Sequence, residues 1–253
     1  MPNDMPTNVI VTGGASGIGA AVTRAFAQNG SKVGIVTRSE ETIKRALTGE
    51  LAAHTERISW RIADVADDAA LKGAIDALAS EFGGIDAVVA SAGIEGEMGA
   101  SISEVTTDGF RRVLEVNVLG VFHTVKHALP YLRTSTNPSV TIIGSDSGFV
   151  SVPGMLAYNA SKGAIVQLTR ALSVELWGDD GIRVNSVCPS AVDTPMARRG
   201  MGVENFDDAD FPVQTPDDVA WSVTYLASAR SRAINGQSLL SDYGYTARSN
   251  FPS

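Results

Sequence analysis

The chain has 253 residues, a hydrophobic share of 44%, 20 Lys and Arg against 28 Asp and Glu, and a single cysteine. A net charge of -8 speaks against nucleic acid or an anionic membrane surface as the main partner, since either needs a basic face. Cys188 alone excludes an intrachain disulfide, and no run approaches the roughly 18 apolar residues of a membrane helix, so the expectation is one α/β domain over residues 1–253, in the cytoplasm.

Residues 1–8 lack the basic and apolar regions of a secretory signal and read as a loose tail. A β-branched run at 9–12 predicts the first strand. It leads into a glycine-rich turn, Thr12-Gly13-Gly14-Ala15-Ser16-Gly17-Ile18-Gly19, that opens a helix over 17–29. Gly13, Gly17 and Gly19 let the backbone approach a pyrophosphate and aim the first helical N–H groups at it, with Ser16 and Ile18 as contacts within the same turn. The second strand, 33–37, ends at Thr37 and Arg38. An acid there would accept both ribose hydroxyls of NAD, whereas a 2′-phosphate demands a cation and no acid, so this pair predicts NADP(H).

A helix over 40–53 and a strand over 58–63 lead to Asp64 and Val65, an acid and an apolar side chain placed to face an adenine ring. After a helix over 67–81 and a strand over 87–90, Ser91-Ala92-Gly93 offers another close backbone approach. The helix over 107–133 carries Asn117 and an i, i+4 pair, His123 and His127, with no evident third metal ligand, and no metal is expected. A strand over 140–144 delivers Ser145, and a helix over 155–177 carries Tyr158 and Lys162. The strand over 184–188 ends in Cys188-Pro189, where the thiol reads as buried rather than activated.

Residues 197–214 form the one long irregular stretch, a lid by its length; its acids Glu204, Asp207, Asp208 and Asp210 lack the spacing of a calcium loop. Thr215-Pro216-Asp217-Asp218 caps a helix over 217–228, and 238–241 is the last strand. Seven strands alternating with helices require a parallel sheet covered on both faces, the doubly wound Rossmann-type architecture.

Tyr158 and Lys162 stand one helical turn apart, thirteen and seventeen residues after Ser145. Reducing a ketone needs a hydride donor on carbon, a proton donor near oxygen and a second donor for the developing oxyanion; Tyr158 and Ser145 fit the last two. A free tyrosine titrates about three units above neutrality, about 4 kcal/mol, which a nearby ammonium at intermediate dielectric can match, so Lys162 is expected to pull the phenol down.

With the glycine turn, Asn117, Ser145, Tyr158 and Lys162 together, the chain resembles the short-chain dehydrogenase/reductase family over essentially its whole length. The resemblance implies that those four residues are catalytic, that Lys162 also binds the nicotinamide ribose, and that Asn117 holds a water linking Lys162 to solvent. It further implies Pro189, Val192 and Thr194 beside the nicotinamide, pro-S hydride delivery, and a homotetramer built on the 107–133 and 155–177 helices. Two positions depart from the family pattern: Ser91 stands where asparagine is common, and Ser190 replaces the usual glycine. Ile94, Phe149, Val150, Val152, Pro153, Met155, Met196, Met201, Phe206 and Phe211 form an apolar set around the centre, which suggests a hydrophobic ketone or secondary alcohol, with reduction the favoured direction. A 3-oxoacyl-carrier-protein reductase is the alternative within enzymology, disfavoured because an acidic carrier calls for a basic patch. A non-catalytic nucleotide-sensing protein is the alternative outside it.

Overall fold

In the computed structural model, which describes residues 4–248, seven parallel strands form one sheet. They are β1 (Asn8–Thr12), β2 (Lys32–Thr37), β3 (Ile58–Ile62), β4 (Ala87–Ala90), β5 (Ser139–Ile143), β6 (Arg183–Pro189) and β7 (Ser238–Ser241), in the order β3-β2-β1-β4-β5-β6-β7. The chain winds outward from β1 to β3 and then reverses to β4. This reversal opens a crevice beyond the carboxyl ends of β1 and β4, where ligands bind in such sheets. β4, β5 and β6 are buried along their whole length, as parallel strands with both faces covered must be.

The helices are α1 (Gly17–Gln28), α2 (Glu40–Thr48), α3 (Asp68–Phe82), α4 (Thr107–Leu114), α5 (Gly120–Leu132), α6 (Leu156–Trp177), α7 (Pro195–Met201) and α8 (Pro216–Ala227). Alternation along β1 divides the core. Val9 and Val11 join Phe26 of α1 and Val223 of α8 on one face, while Ile10 joins Leu78 of α3, Val125 of α5 and Ile165 of α6 on the other. The Thr215 hydroxyl and Asp218 carboxylate cap one another's backbone at the start of α8. At its far end Arg183 of β6, almost fully buried, spends its guanidinium on the carbonyls of Leu226, Ser228 and Ser231. The cation thus offsets the negative end of α8 and ties that helix to β6. Among the described residues, no helix is long and apolar enough to cross a membrane.

Four expectations are corrected. The 40–53 helix stops at Thr48; fully buried Leu51 turns the chain inward by donating its N–H to Ala46, and a 3-10 turn over Ala52–Arg57 follows. The 107–133 helix is interrupted by a π-turn over Glu115–Leu119 between α4 and α5. The 197–214 stretch is not wholly irregular, because α7 runs five residues into it, from a Thr194 cap to Gly202 in the left-handed region. Residues 4–8 are not a loose tail. The Thr7 and Asn8 N–H groups donate to the Asp86 carboxylate, Asp4 pairs with Arg230, and the Asp4 carbonyl accepts from Ala229. Residues 1–3 of that proposed tail lie outside the described residues.

Candidate active site

The glycine turn is built so that no side chain fits inside it. A Cβ on Gly13, whose φ is +69°, would lie 2.9 Å from the Ala92 Cα, and one on Gly17 would lie 3.3 Å from the Thr194 methyl. A Cβ on Gly19 would collide with the Gly13 carbonyl. The Thr12 hydroxyl braces the same crossing by accepting the N–H groups of Ser91 and Ala92 at 3.2 and 3.4 Å. Ile18 packs down on the core from the first turn of α1. Helices α2, α3, α4, α7 and α8 each receive a side-chain cap; α1, which the glycine turn opens, starts at Ser16 with no side-chain cap and no acid in its first turn, as α6 does at Met155. Its N–H groups therefore suit an anion such as a dinucleotide pyrophosphate.

At the end of β2, Thr37 is buried while Arg38 is exposed and enters none of the ion pairs among the described residues. Asp64 is engaged by Arg112 of α4, a partner that sequence spacing did not reveal, and by the Ala66 N–H at 3.0 Å. Burial alone would raise its carboxyl; the Ala66 N–H, Arg112 and the Arg38 charge outweigh that and hold it below the usual carboxylate range. Next to it, the buried Val65 offers its carbonyl to His123 Nδ1 at 3.1 Å. His123 and His127 meet a shared carboxylate, Asp68, at 3.7 and 2.8 Å, with Lys126 3.4 Å from the same oxygen.

The four residues singled out by spacing come together at the ends of β4, β5 and β6. Asn117 sits on the π-turn, accepts the Ile94 N–H at 2.8 Å, and donates to the Ile94 carbonyl at 2.9 Å and the Ser161 hydroxyl at 3.0 Å. Ser161 in turn donates to the Tyr158 carbonyl at 2.7 Å. Ser145 ends β5 and heads a 3-10 turn over Asp146–Gly148, accepting the Ser147 N–H at 3.1 Å. Lys162, buried one turn after Tyr158, donates to the Ile143 carbonyl at 2.9 Å and lies 5.5 Å from the Tyr158 ring centre. Gly93 lies against Asn117, and Thr194 covers Gly17. Pro189 ends β6, and Val192 forms a parallel bridge with Gln214, closing the 193–213 segment at its ends. Cys188 is buried, and burial raises its thiol, as the sequence suggested for an inert strand-end residue.

One electrostatic expectation is corrected. Burial pushes the Tyr158 phenol up to about 12; the Ser145 hydroxyl opposes the rise, and the charges of Asp146, Glu95 and Cys188 add to it. Burial likewise pushes Lys162 down to about 8. The ammonium points its bond at Ile143 rather than at the phenol oxygen, so desolvation of both groups governs the pair.

Around this centre, Phe149, Val152, Met201 and Phe211 are exposed, and Phe206 and Phe211 meet edge to face at 6.4 Å. Ile94, by contrast, packs against the core. Helix α7 is pinned twice. Arg198 forms a paired ion contact with Asp193 at 2.6 and 2.8 Å, and Arg199 reaches Glu95 of the loop after β4 at 3.3 Å. Glu95 and Asp146, both acting on the phenol, were missed by motif reasoning, although Asp146 is adjacent to Ser145 in sequence.

A family model described as enoyl-(acyl carrier protein) reductase matches residues 13–246. The chain belongs to the short-chain dehydrogenase/reductase family. It is 35% identical to 2-(R)-hydroxypropyl-CoM dehydrogenase of Xanthobacter autotrophicus, over 94% of this chain and 98% of that one. It is 36% identical to cis-4-hydroxycyclohexanecarboxylate dehydrogenase of Sinomonas cyclohexanicum, over 94% and 96%. Among solved structures it resembles levodione reductase, with a TM-score of 0.89 and 28% identity over 98% of this chain and 99% of that one. It also resembles ElxO with NADP bound, with a TM-score of 0.85 and 29% identity over 96% and 100%. These similarities support a short-chain oxidoreductase acting on alcohols and ketones.

Lys162 in this family member carries a cost that can be measured. Lowering its pKa from 10.5 to about 8 means the folded chain binds fewer protons than the unfolded chain between those values, so stability rises with pH across that window. Below it the buried charge costs about 3 kcal/mol. Lys162→Met, which also forfeits the Ile143 hydrogen bond, is expected to be about 2 kcal/mol more stable than the parent at pH 7, and this gain should vanish by pH 10. Urea midpoints at the two pH values test this; a variant less stable at pH 7 would contradict it.

Proposed function

We propose that this chain is a single-domain, NADP(H)-preferring oxidoreductase that interconverts a hydrophobic ketone and its secondary alcohol. The carrying observation is the convergence of Ser145, Tyr158 and Lys162, held by the Lys162–Ile143 bond and the Ser145-headed turn. In this reading Tyr158 exchanges a proton with the substrate oxygen, Ser145 hydrogen-bonds that oxygen, Lys162 sets the charge beside the phenol, and Asn117 fixes the approach to Lys162. A nicotinamide dinucleotide supplies the hydride. Gly13, Ser16, Gly17, Ile18 and Gly19 with the α1 N–H groups would hold its pyrophosphate, and Thr37 and Arg38 the 2′-phosphate. Asp64 and Val65 would face the adenine, Ser91, Ala92 and Gly93 the adjoining ribose, and Tyr158, Lys162, Pro189, Val192 and Thr194 the nicotinamide end. The exposed apolar residues of the lid and of the loop after β5 support an apolar substrate, with 197–214 closing over it. A cytoplasmic location suits a chain whose only cysteine is buried and free.

NADPH oxidation with cyclohexanone, acetophenone and 2-octanone, and NADP⁺ reduction with the matching alcohols, test the reaction. Turnover is expected with this panel, and Tyr158→Phe should lose at least about a hundredfold in kcat while still binding nucleotide. A variant as active as the parent would remove Tyr158 from the chemistry; turnover of charged or polyhydroxylated compounds alone would overturn the apolar substrate class.

Free Arg38 beside acid-free Thr37 supports the cofactor preference, as does the NADP-bound ElxO structure. Placing a carboxylate there puts repulsion of about 4 kcal/mol at 4 Å, before desolvation, against the extra phosphate. Thr37→Asp is therefore expected to lower the NADPH to NADH ratio of kcat/KM by about tenfold to a hundredfold. An unchanged ratio would refute this basis for selectivity.

A homotetramer is the proposed assembly, supported by exposed Leu119 at the end of the π-turn, Phe122 on α5, and Val174 and Trp177 on α6. Light scattering at micromolar concentration is expected to give four times the chain mass. A monomer would exclude this assembly.

A further inference from the structure

Asp64, just past β3, is held from two directions. Its Oδ1 accepts the Ala66 N–H at 3.0 Å, its Oδ2 accepts from the Arg112 guanidinium, and its backbone carbonyl closes the turn by accepting the Asp67 N–H at 3.0 Å. Arg112 comes from α4, 48 positions along the chain, and its other terminal nitrogen lies 3.6 Å from Glu115 at the start of the π-turn. Both ends of the guanidinium are therefore engaged. The Asp64 side chain remains 30% exposed, so the rest of its acceptor capacity is open to a ligand. The Arg38 charge at the end of β2 acts on the same carboxylate.

We propose that Arg112 is a positioning residue that fixes the Asp64 carboxylate for the exocyclic amine of adenine, so that the site selects an adenine over a hypoxanthine dinucleotide. This rests on the placement of adenine against Asp64 and Val65 in the proposed function. An ionised carboxylate has about four acceptor sites. The Ala66 N–H takes one on Oδ1 and Arg112 one on Oδ2, which leaves one on each oxygen. Adenine presents a donor, its amine, where hypoxanthine presents a carbonyl oxygen and carries its hydrogen on the adjoining ring nitrogen instead. A carboxylate free to turn accepts from that ring N–H as readily as from the amine. One gripped on both oxygens cannot turn, and against hypoxanthine it faces another acceptor. Without Arg112, the Ala66 N–H holds Oδ1 alone and Arg38 draws the carboxylate toward β2.

Calorimetric titration with NADP⁺ and with nicotinamide hypoxanthine dinucleotide phosphate tests this without turnover; NAD⁺ and its hypoxanthine analogue replace them if the parent binds the unphosphorylated pair more tightly. The two ligands of a pair carry the same charge, so general electrostatic changes cancel in the ratio of their Kd values. The parent should bind the adenine ligand about tenfold to a hundredfold more tightly, the worth of a hydrogen bond to a charged group. Arg112→Met, or Arg112→Gln should the first variant not fold, should bring the ratio within about threefold of unity by weakening the adenine ligand. Asp64→Ala should do the same, and adding Arg112→Met to it should change the ratio by less than about twofold. An Arg112 variant that keeps the parent's ratio, or one that changes the ratio as much without Asp64 as with it, overturns the inference. A parent that binds both purines equally removes Asp64 from the adenine and the inference with it, while the Tyr158 chemistry stands on its own assay; a parent that binds no dinucleotide removes the proposed function as well.

Discussion

The hydrogen bond from Lys162 Nζ to the Ile143 carbonyl, 2.9 Å long and buried, is the contact on which the site geometry depends. It fastens the second turn of α6 to the end of β5 two residues before Ser145, and Tyr158 rides one turn earlier on the same helix face. A strand end and a helix would otherwise be related only by apolar packing, which tolerates shifts that a proton transfer does not. Gly148 completes the junction, because a Cβ there would lie 2.7 Å from the Lys162 carbonyl. The bond comes with an electrostatic penalty, since it holds an ammonium where burial disfavours charge. The apolar core around β5, including Val88, Val140, Ile142 and Val184, supplies stability that offsets it.

Asn117 makes the second connection. Its amide closes on both the N–H and the carbonyl of Ile94 and also reaches Ser161, so the loop after β4 and the first turns of α6 share one side chain. The π-turn places it there. One extra residue in the helical path is the type of local irregularity found at functional positions, and here it coincides with the residue that clamps the neighbouring loop.

The strands and the glycine turn were legible because much of their cause is local: buried parallel strands leave continuous apolar runs, Gly13 takes a positive φ, and Gly19 meets the Gly13 carbonyl six residues back. Ser145, Tyr158 and Lys162 were legible because helical spacing alone puts the last two on one face. The π-turn left no such mark, since the apolar periodicity of 107–133 continues through it. Helix α7 was hidden by its seven-residue length and by the absence of any buried side chain along it. The docking of residues 4–8 depends on Asp86, Ala229 and Arg230, partners up to 226 positions away, which no window of sequence can show. The phenol was misjudged for a related reason. Spacing gives the Tyr158–Lys162 neighbourhood but says nothing of desolvation, and desolvation governs both groups.

The groove that joins these features is electrically polar. At the β2 end, Arg38 stands unpaired and the α1 N–H groups carry no competing acid; at the β5 end, Glu95 and Asp146 both bring negative charge to the phenol. Arg199 of α7 offsets Glu95, while Asp146 takes part in no ion pair among the described residues. Lys162, held beside the phenol, sets a positive charge against those two acids, so the β5 end is a mixed cluster, while the β2 end, with exposed Arg38 and the uncapped α1 N–H groups, is the part of the field that favours an anionic ligand.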